Sequence, residues 1–353
     1  MAVSLFSQEI VRNPATPPNP DAGRVLKLEP ILALDDSSGA FYIKAPTDMK
    51  VDSRRVLYVL DTQPVQLLKF SPEGKFLANL VRQGQGPGEI AAGPANASFL
   101  VYRDDVYLCD GRRKIVRFDK EGNFVSDIGV TSLSSFRLVA VSEEGYFVTH
   151  PVIGGAKTIG RVDVENELMF LSTDGTISEK TAGLMTHYYR GNHRAGLGTS
   201  LISAFDPAGP ALYLGYRPEY EIQKVELAKR KMAAKFAREY LRIKIPREEL
   251  EKMYEGFGID PPKEEYRHDI NGIYFCDGNL WVRTSTNVEG KGRLFDVFDP
   301  QGRYADSFFY SGPIGGFLPA DEGFLFVMTE NDEGSFIVRK FKILNGPKAS
   351  SRP

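Results

Sequence analysis

The chain predicts an all-β, six-bladed β-propeller closed by its own N-terminal strand, and three observations carry that prediction. Six short stretches repeat one pattern: VLYVLD (56–61), DVYLCD (105–110), GYFVTH (145–150), ALYLGY (211–216), NLWVRT (279–284) and FLFVMT (324–329). Each puts an aromatic third, namely Tyr58, Tyr107, Phe147, Tyr213, Trp281 and Phe326, mostly among aliphatic neighbours. A short apolar run of this kind is a strand covered on both faces. Secondly, glycine-ended turns recur behind these strands as FSPEG (70–74), FDKEG (118–122), LSTDG (171–175) and FDPQG (298–302). Four short strands in a unit that returns every few dozen residues make a propeller blade. Thirdly, RVLKLEPILAL (24–34) alternates as a strand without a neighbouring partner, while the last unit runs out of chain at FIVRKFKIL (336–344). Joining the two closes the ring and removes the edges that an open array would expose.

The elements follow in order. Residues 1–22, with NPATPPNPDAG, are too rich in Pro and Asn to pack regularly and read as an arm; the propeller takes 23–345 and a tail takes 346–353. Within the first blade an inner strand and polar turn (46–55) lead to the VLYVLD strand, then to QLLKFSPEG (66–74) and KFLANLVR (75–82). Asp, Pro and Gly supply the turn geometry. Two places break the rhythm. Residues 182–200 read as a long loop between blades three and four. Residues 241–268 read as an insertion between blades four and five. In it Pro246 opens a short helix with Glu248 and Glu249 in its first turn and Gly256 and Gly258 at its end. Leu250, Met253, Tyr254 and Phe257 fall at helical spacing, which predicts an apolar stripe laid on the propeller, as a plug or a lid.

Composition narrows the classes. A formal net charge of −2 argues against a general nucleic-acid binder, so any charge effect must be local. Cys109 and Cys276 fall in different blades and read as buried free thiols. No run approaches the ~18 apolar residues of a membrane-spanning helix. The opening MAVSLFSQEI lacks the basic start and apolar core of a signal peptide.

The order of inner strand, YVLD-like strand, hydrophobic strand and FxxxG turn resembles the NHL-repeat class of six-bladed propellers. RQGQGPGEI (82–90) is similar to the loop after the first blade in a broad group of bacterial propeller proteins, as are the arm at Asn13 and the segment from Pro262 through NLWVRT. The resemblance implies the fold along nearly the whole chain. It also implies export to the periplasm or cell surface, with a leader removed. Blade four departs from the pattern, with IQKVELAKRKMAAKFAREY (222–240) in place of a compact FxxxG turn. The GQGPGE loop lacks the Lys-Ser/Thr of a phosphate-binding P-loop, and its glycines read as a crossing between blades at positive φ.

In a propeller the loops leaving the middle strands and the loops joining blades share one face. On that face fall Arg82, Arg112, Arg113, His150, His187, Tyr189, Arg190, His193, Arg217 and Arg283, together with His268. The chain's four histidines all lie there. Arginine forks and aromatic faces suit carboxylate, sulfate or phosphate groups on sugar-like rings. The leading expectation is therefore a non-catalytic propeller that binds an anionic small molecule or acidic glycan, without a cofactor or metal. A lyase or hydrolase acting on acidic sugars is the alternative, with histidines holding a metal and Tyr189 as a base beside Arg190. A protein-interaction scaffold is the third reading. Arg217 and Arg283, each at or just after the end of a middle strand, are expected to point at the central mouth.

Overall fold

In the computed structural model the described residues are 10–35, 39–91, 97–152, 159–191, 195–196, 201–331 and 334–350. They form six radial sheets. Blade one runs Pro46–Val51, Leu57–Asp61, Gln66–Phe70 and Phe76–Asn79 from the inside out. Blade two takes Ser98–Tyr102 to Phe124–Gly129, and blade three Arg137–Ser142 to Ile177–Arg190 with the short Ala195–Gly196 strand added. Blades four and five begin at Ile202–Asp206 and Ile270–Cys276. Blade six is built from Leu318–Ala320, Phe324–Glu330, Phe336–Ile343 and, outermost, Leu28–Leu34. That last pairing is antiparallel and closes the ring between the two ends of the chain. First strands of successive blades touch all the way round, the sixth against the first.

The repeated middle strands are the core. Leu57–Asp61 is buried at every position, and Tyr58, Tyr213 and Trp281 are among the largest fully buried side chains. Between blades five and six, Trp281 meets Phe308 edge-on at 4.9 Å and Phe295 stacks on Phe308 at 5.1 Å. Rings packed face to edge satisfy their quadrupoles while filling the wedge between blades. The turn glycines are required by conformation: Gly302 has φ +81, and a Cβ there would sit 2.7 Å from Phe236 of the neighbouring blade. In the same turn Asp299 accepts from the backbone N–H of Gln301 and Arg303, each at 2.9 Å.

Three features differ from the sequence reading. The arm is not free of structure: Ile10–Asn13 adds a fifth, parallel strand to blade four, beside Lys231–Arg238. The cause is the Asn13 side chain, which donates to the carbonyls of Gly302 (2.9 Å) and Ala237 (3.0 Å) and accepts from the Tyr304 N–H (2.9 Å). One buried amide thus ties the N-terminus, blade four and blade five together. Next, the stretch 24–34 is split, because Arg24–Val25 pairs in parallel with blade five before Leu28–Leu34 reaches blade six. Arg24 fixes the split through a two-pronged contact to Asp306 (2.8 and 2.9 Å). Finally, 182–190 is strand rather than loop. Ile177–Arg190 pairs along Gly160–Ser172, and Leu184 and Thr186 alternate inward from the exposed Gly183 and Met185.

Replacing Asn13 with Ala is expected to cost about 1–3 kcal/mol, since buried backbone groups lose their partner. Thermal unfolding of the variant reads the effect, and limited proteolysis should show the first cut moving to the N-terminal segment.

One helix lies between the last strand of blade four and the first of blade five. This helix, Arg247–Tyr254, starts after Pro246 with Glu248 and Glu249 in the first turn, where carboxylates favour the positive end of the helix dipole. Gly256 and Gly258 follow at positive φ. Leu250, Tyr254 and Phe257 are buried. Both cysteines are free and buried, and burial pushes the Cys109 thiol up to about 12. No described helix is long and apolar enough to cross a membrane.

Candidate anion-binding site

The face carrying the middle-strand ends gathers its chemistry over blades three, four and five. Arg217 follows the middle strand Ala211–Tyr216, and Arg283 lies on Asn279–Val288, opposite Gly272 of the inner strand. Both guanidinium groups turn to one residue, Asn271. Arg217 Nη2 donates to the Asn271 side-chain oxygen (3.3 Å) and Arg283 Nη2 to its backbone carbonyl (2.6 Å). Asn271 is held in turn by Ser285 Oγ at 3.0 Å, and Ser285 donates to the His268 carbonyl. Arg283 Nε is buried without a hydrogen-bond partner, and Arg283 makes no ion pair among the described residues. The two cations repel: burial first, then the Arg283 charge, lowers the proton affinity of Arg217.

Imidazoles stand beside them. Burial, Arg217 and His187 together hold His268 down to about 4, and burial with Arg161 lowers His187. Both rings are therefore neutral near pH 7 and can donate or accept one hydrogen bond each. Blade three supplies the next wall. His187 meets Tyr189 edge-on at 5.7 Å, and Tyr189 meets Tyr254 of the insertion helix at 5.2 Å. Tyr254 donates to Glu265 at 3.0 Å, and Gly191 fits against the Phe257 backbone, where a Cβ would lie 1.8 Å from the carbonyl oxygen. The insertion is thus docked on the prolonged outer strands of blade three.

The structure brings together His187, Tyr189, Arg217 and Arg283, with His268 between the arginines and His187. The other expected residues are placed elsewhere. Arg82 is exposed on a two-residue strand, Arg82–Gln83, paired with Glu89–Ile90. Arg112 and Arg113 are exposed, and their backbone N–H groups cap Asp110 (2.9 and 2.8 Å), so this arginine pair belongs to a turn. His150 bonds the Ser135 carbonyl through Nδ1 at 2.6 Å, across the blade two to three connection. His193 lies outside the described residues. Arg190 is not the cation beside Tyr189, because strand alternation turns neighbouring side chains to opposite faces. The cross-strand partner Arg161 takes that place, paired with Asp163 at 2.9 Å. Asn271, Ser285 and Arg161 were missed by the sequence reading; a polar residue opening an inner strand was the available signal for Asn271.

Among the described residues the one grouping with metal-ligand atoms in mutual reach is Cys276, Asp277 and Asp321, not the histidines. It lies at the inner-to-middle turn of blade five, on the opposite face. Its carboxylates already serve the backbone: Asp277 accepts from Glu322 N–H (2.7 Å) and Asp321 from Asp277 N–H (2.6 Å). The GQGPGE loop is likewise organised by its acid, with Glu89 accepting from Gly86 N–H at 2.9 Å. Gly88 has positive φ, and the Glu89 carboxylate lies 1.9 Å from where a Cβ on Gly84 would fall.

A neutral His268 beside two arginines makes a specific pH prediction. In the ligand-free protein its ring protons should titrate near pH 4, well below the ordinary 6.5. An anion bound there favours the imidazolium, so sulfate should move the midpoint upward, and by linkage affinity should strengthen as pH falls. NMR titration of the His268 ring signals with and without sulfate checks both.

Fold and ring closure define the chain as a six-bladed β-propeller. A family model described as a 6-bladed beta-propeller, DUF5128, matches residues 38–199, which span blades one to three. Among solved structures, a candidate exported protein from Bacteroides fragilis is similar over 96% of this chain and 100% of its own, at 14% identity and a TM-score of 0.54. A gluconolactonase from Xanthomonas campestris is similar over 94% of this chain and 99% of its own, at 17% identity and a TM-score of 0.47. Virginiamycin B lyase from Staphylococcus aureus covers 90% of this chain and 100% of its own, at 12% identity and 0.44. These likenesses concern the fold. No curated protein matches the sequence.

Proposed function

We propose that this propeller is a ligand-binding protein that takes an anionic small molecule or acidic sugar between Arg217 and Arg283. The observation that carries the proposal is their shared environment. Two other arginines drawn out of solvent each face a carboxylate, Arg238 at Asp296 (2.7 Å) and Arg24 at Asp306 (2.8 Å). Arg283 instead has amide and carbonyl neighbours, a buried unsatisfied N–H and a second cation nearby. Burying like charges together costs free energy, and a bound anion offsets it through charge-assisted bonds. His187, His268 and Tyr189 add neutral donors and an aromatic face suited to a sugar ring.

Calorimetric titration with sulfate, D-glucuronate and glucose 6-phosphate tests the reading, with D-glucose as the uncharged control. The proposal expects heat from at least one anion, weakened by added salt. Absence of binding by all three anions would reject it. Export, implied by the likeness of the GQGPGE loop, belongs to the same proposal; fractionation of cells expressing the protein from its native gene checks it.

A further inference from the structure

On the opposite face, between blades two and three, lies a cleft of about 310 Å³ that the anion site leaves unused. Its floor is Tyr107 and Tyr146, from the middle strands of the two blades, with ring centroids 6.0 Å apart. The two side chains belong to residues only 8% and 6% exposed. Both phenols line the cleft, and neither hydroxyl has a hydrogen-bond partner among the described residues. Hydroxyls that line one cleft without a protein partner are available to exchange hydrogen bonds with a polar guest.

The walls define its chemistry. Arg117 is pinned to Asp105 through Nε (2.9 Å) and Nη2 (2.6 Å), and its guanidinium lies 5.7 Å from the Tyr107 ring centroid. At the rim Arg103 pairs with Glu143 across the two blades. Two cations and two carboxylates cancel, in contrast to the Arg217–Arg283 pair, so the cleft has no reason to prefer an anion. It offers aromatic faces, two phenol hydroxyls and carboxylate acceptors in a volume at the small end of ligand pockets. A pyranose matches this set: C–H faces pack on rings while ring hydroxyls exchange hydrogen bonds with phenol and carboxylate oxygens. We infer that this cleft is a second binding site, for one neutral sugar residue.

Saturation-transfer NMR and calorimetry of the full chain with D-glucose, D-galactose, D-mannose and D-xylose test the inference. The comparison variants are Y107F/Y146F, which keeps both rings and removes both hydroxyls, and R217Q/R283Q, which alters the other face. Binding of at least one sugar is expected, weakened tenfold or more by Y107F/Y146F and unchanged by R217Q/R283Q. Thermal unfolding of Y107F/Y146F verifies that it folds. Silence from all four sugars up to tens of millimolar overturns the inference, because the phenols then serve only hydration. So does sugar binding that Y107F/Y146F leaves intact, or that R217Q/R283Q abolishes. Failure of the anion titration leaves this test untouched.

Discussion

Glutamine at both Arg217 and Arg283 is expected to abolish anion binding while raising the melting temperature of the ligand-free protein. Each arginine would give the ligand charge-assisted hydrogen bonds worth about 1.5–3 kcal/mol. Losing both therefore weakens sulfate or glucuronate binding by roughly 10²- to 10⁴-fold. The stability change runs the other way. Burial and the neighbouring Arg283 charge both disfavour the Arg217 cation, so removing the two charges relieves repulsion and desolvation. A site that gives up stability for binding behaves in this manner, and a structural ion cluster would not. Differential scanning calorimetry and anion titration on one sample of the variant separate the two. A lower melting temperature would mean that the arginines hold the fold.

Asp296→Ala should produce the largest loss of stability from one substitution. The carboxylate is wholly buried between blades four and five and has three donors: Tyr220 OH (2.6 Å), Tyr304 OH (2.7 Å) and Arg238 Nε (2.7 Å). Burial makes the guanidinium costly, and Asp296 more than offsets that cost, holding Arg238 well above its ordinary proton affinity. Alanine would leave a buried charge and two phenols unsatisfied, at about 3–5 kcal/mol. Chemical denaturation measures it directly. Because the network also adjoins Asn13 through Tyr304, the D296A and N13A effects should be non-additive.

The fold was legible because its signals are local and repeated. A buried aromatic recurs at the third position of every middle strand, and a glycine at φ > 0 recurs in the FxxxG turns of blades one, two, three and five, while blade four puts Arg230 at positive φ instead. The Leu28–Leu34 closure was legible by elimination, as a strand without a partner faced a blade without an outer strand. Ile10–Asn13 was not, because nothing in IVRN shows that Asn13 will find Gly302, Ala237 and Tyr304 far along the chain. The long blade-three strand was missed because Gly183 and the polar residues around His187 resemble loop sequence, and only pairing with Gly160–Ser172 makes them a strand.

The site was legible in part for the same reason. Topology alone put Arg217, Arg283 and the histidines on one face, but not at one spot. Arg112 and Arg113 share that face and end in a turn around Asp110. His150 is taken by the Ser135 carbonyl. What selects Arg217, Arg283 and His268 from the wider list is Asn271 and the burial around it, which are long-range consequences of how blades four and five lean together.

The most direct test of the central claim is a crystal of the protein soaked in selenate, with anomalous scattering used to find the selenium. The account predicts a selenate between Arg217 and Arg283, accepting a hydrogen bond from the Arg283 Nε–H that is otherwise unsatisfied. Selenate bound at other arginines, with none at this pair, would contradict it.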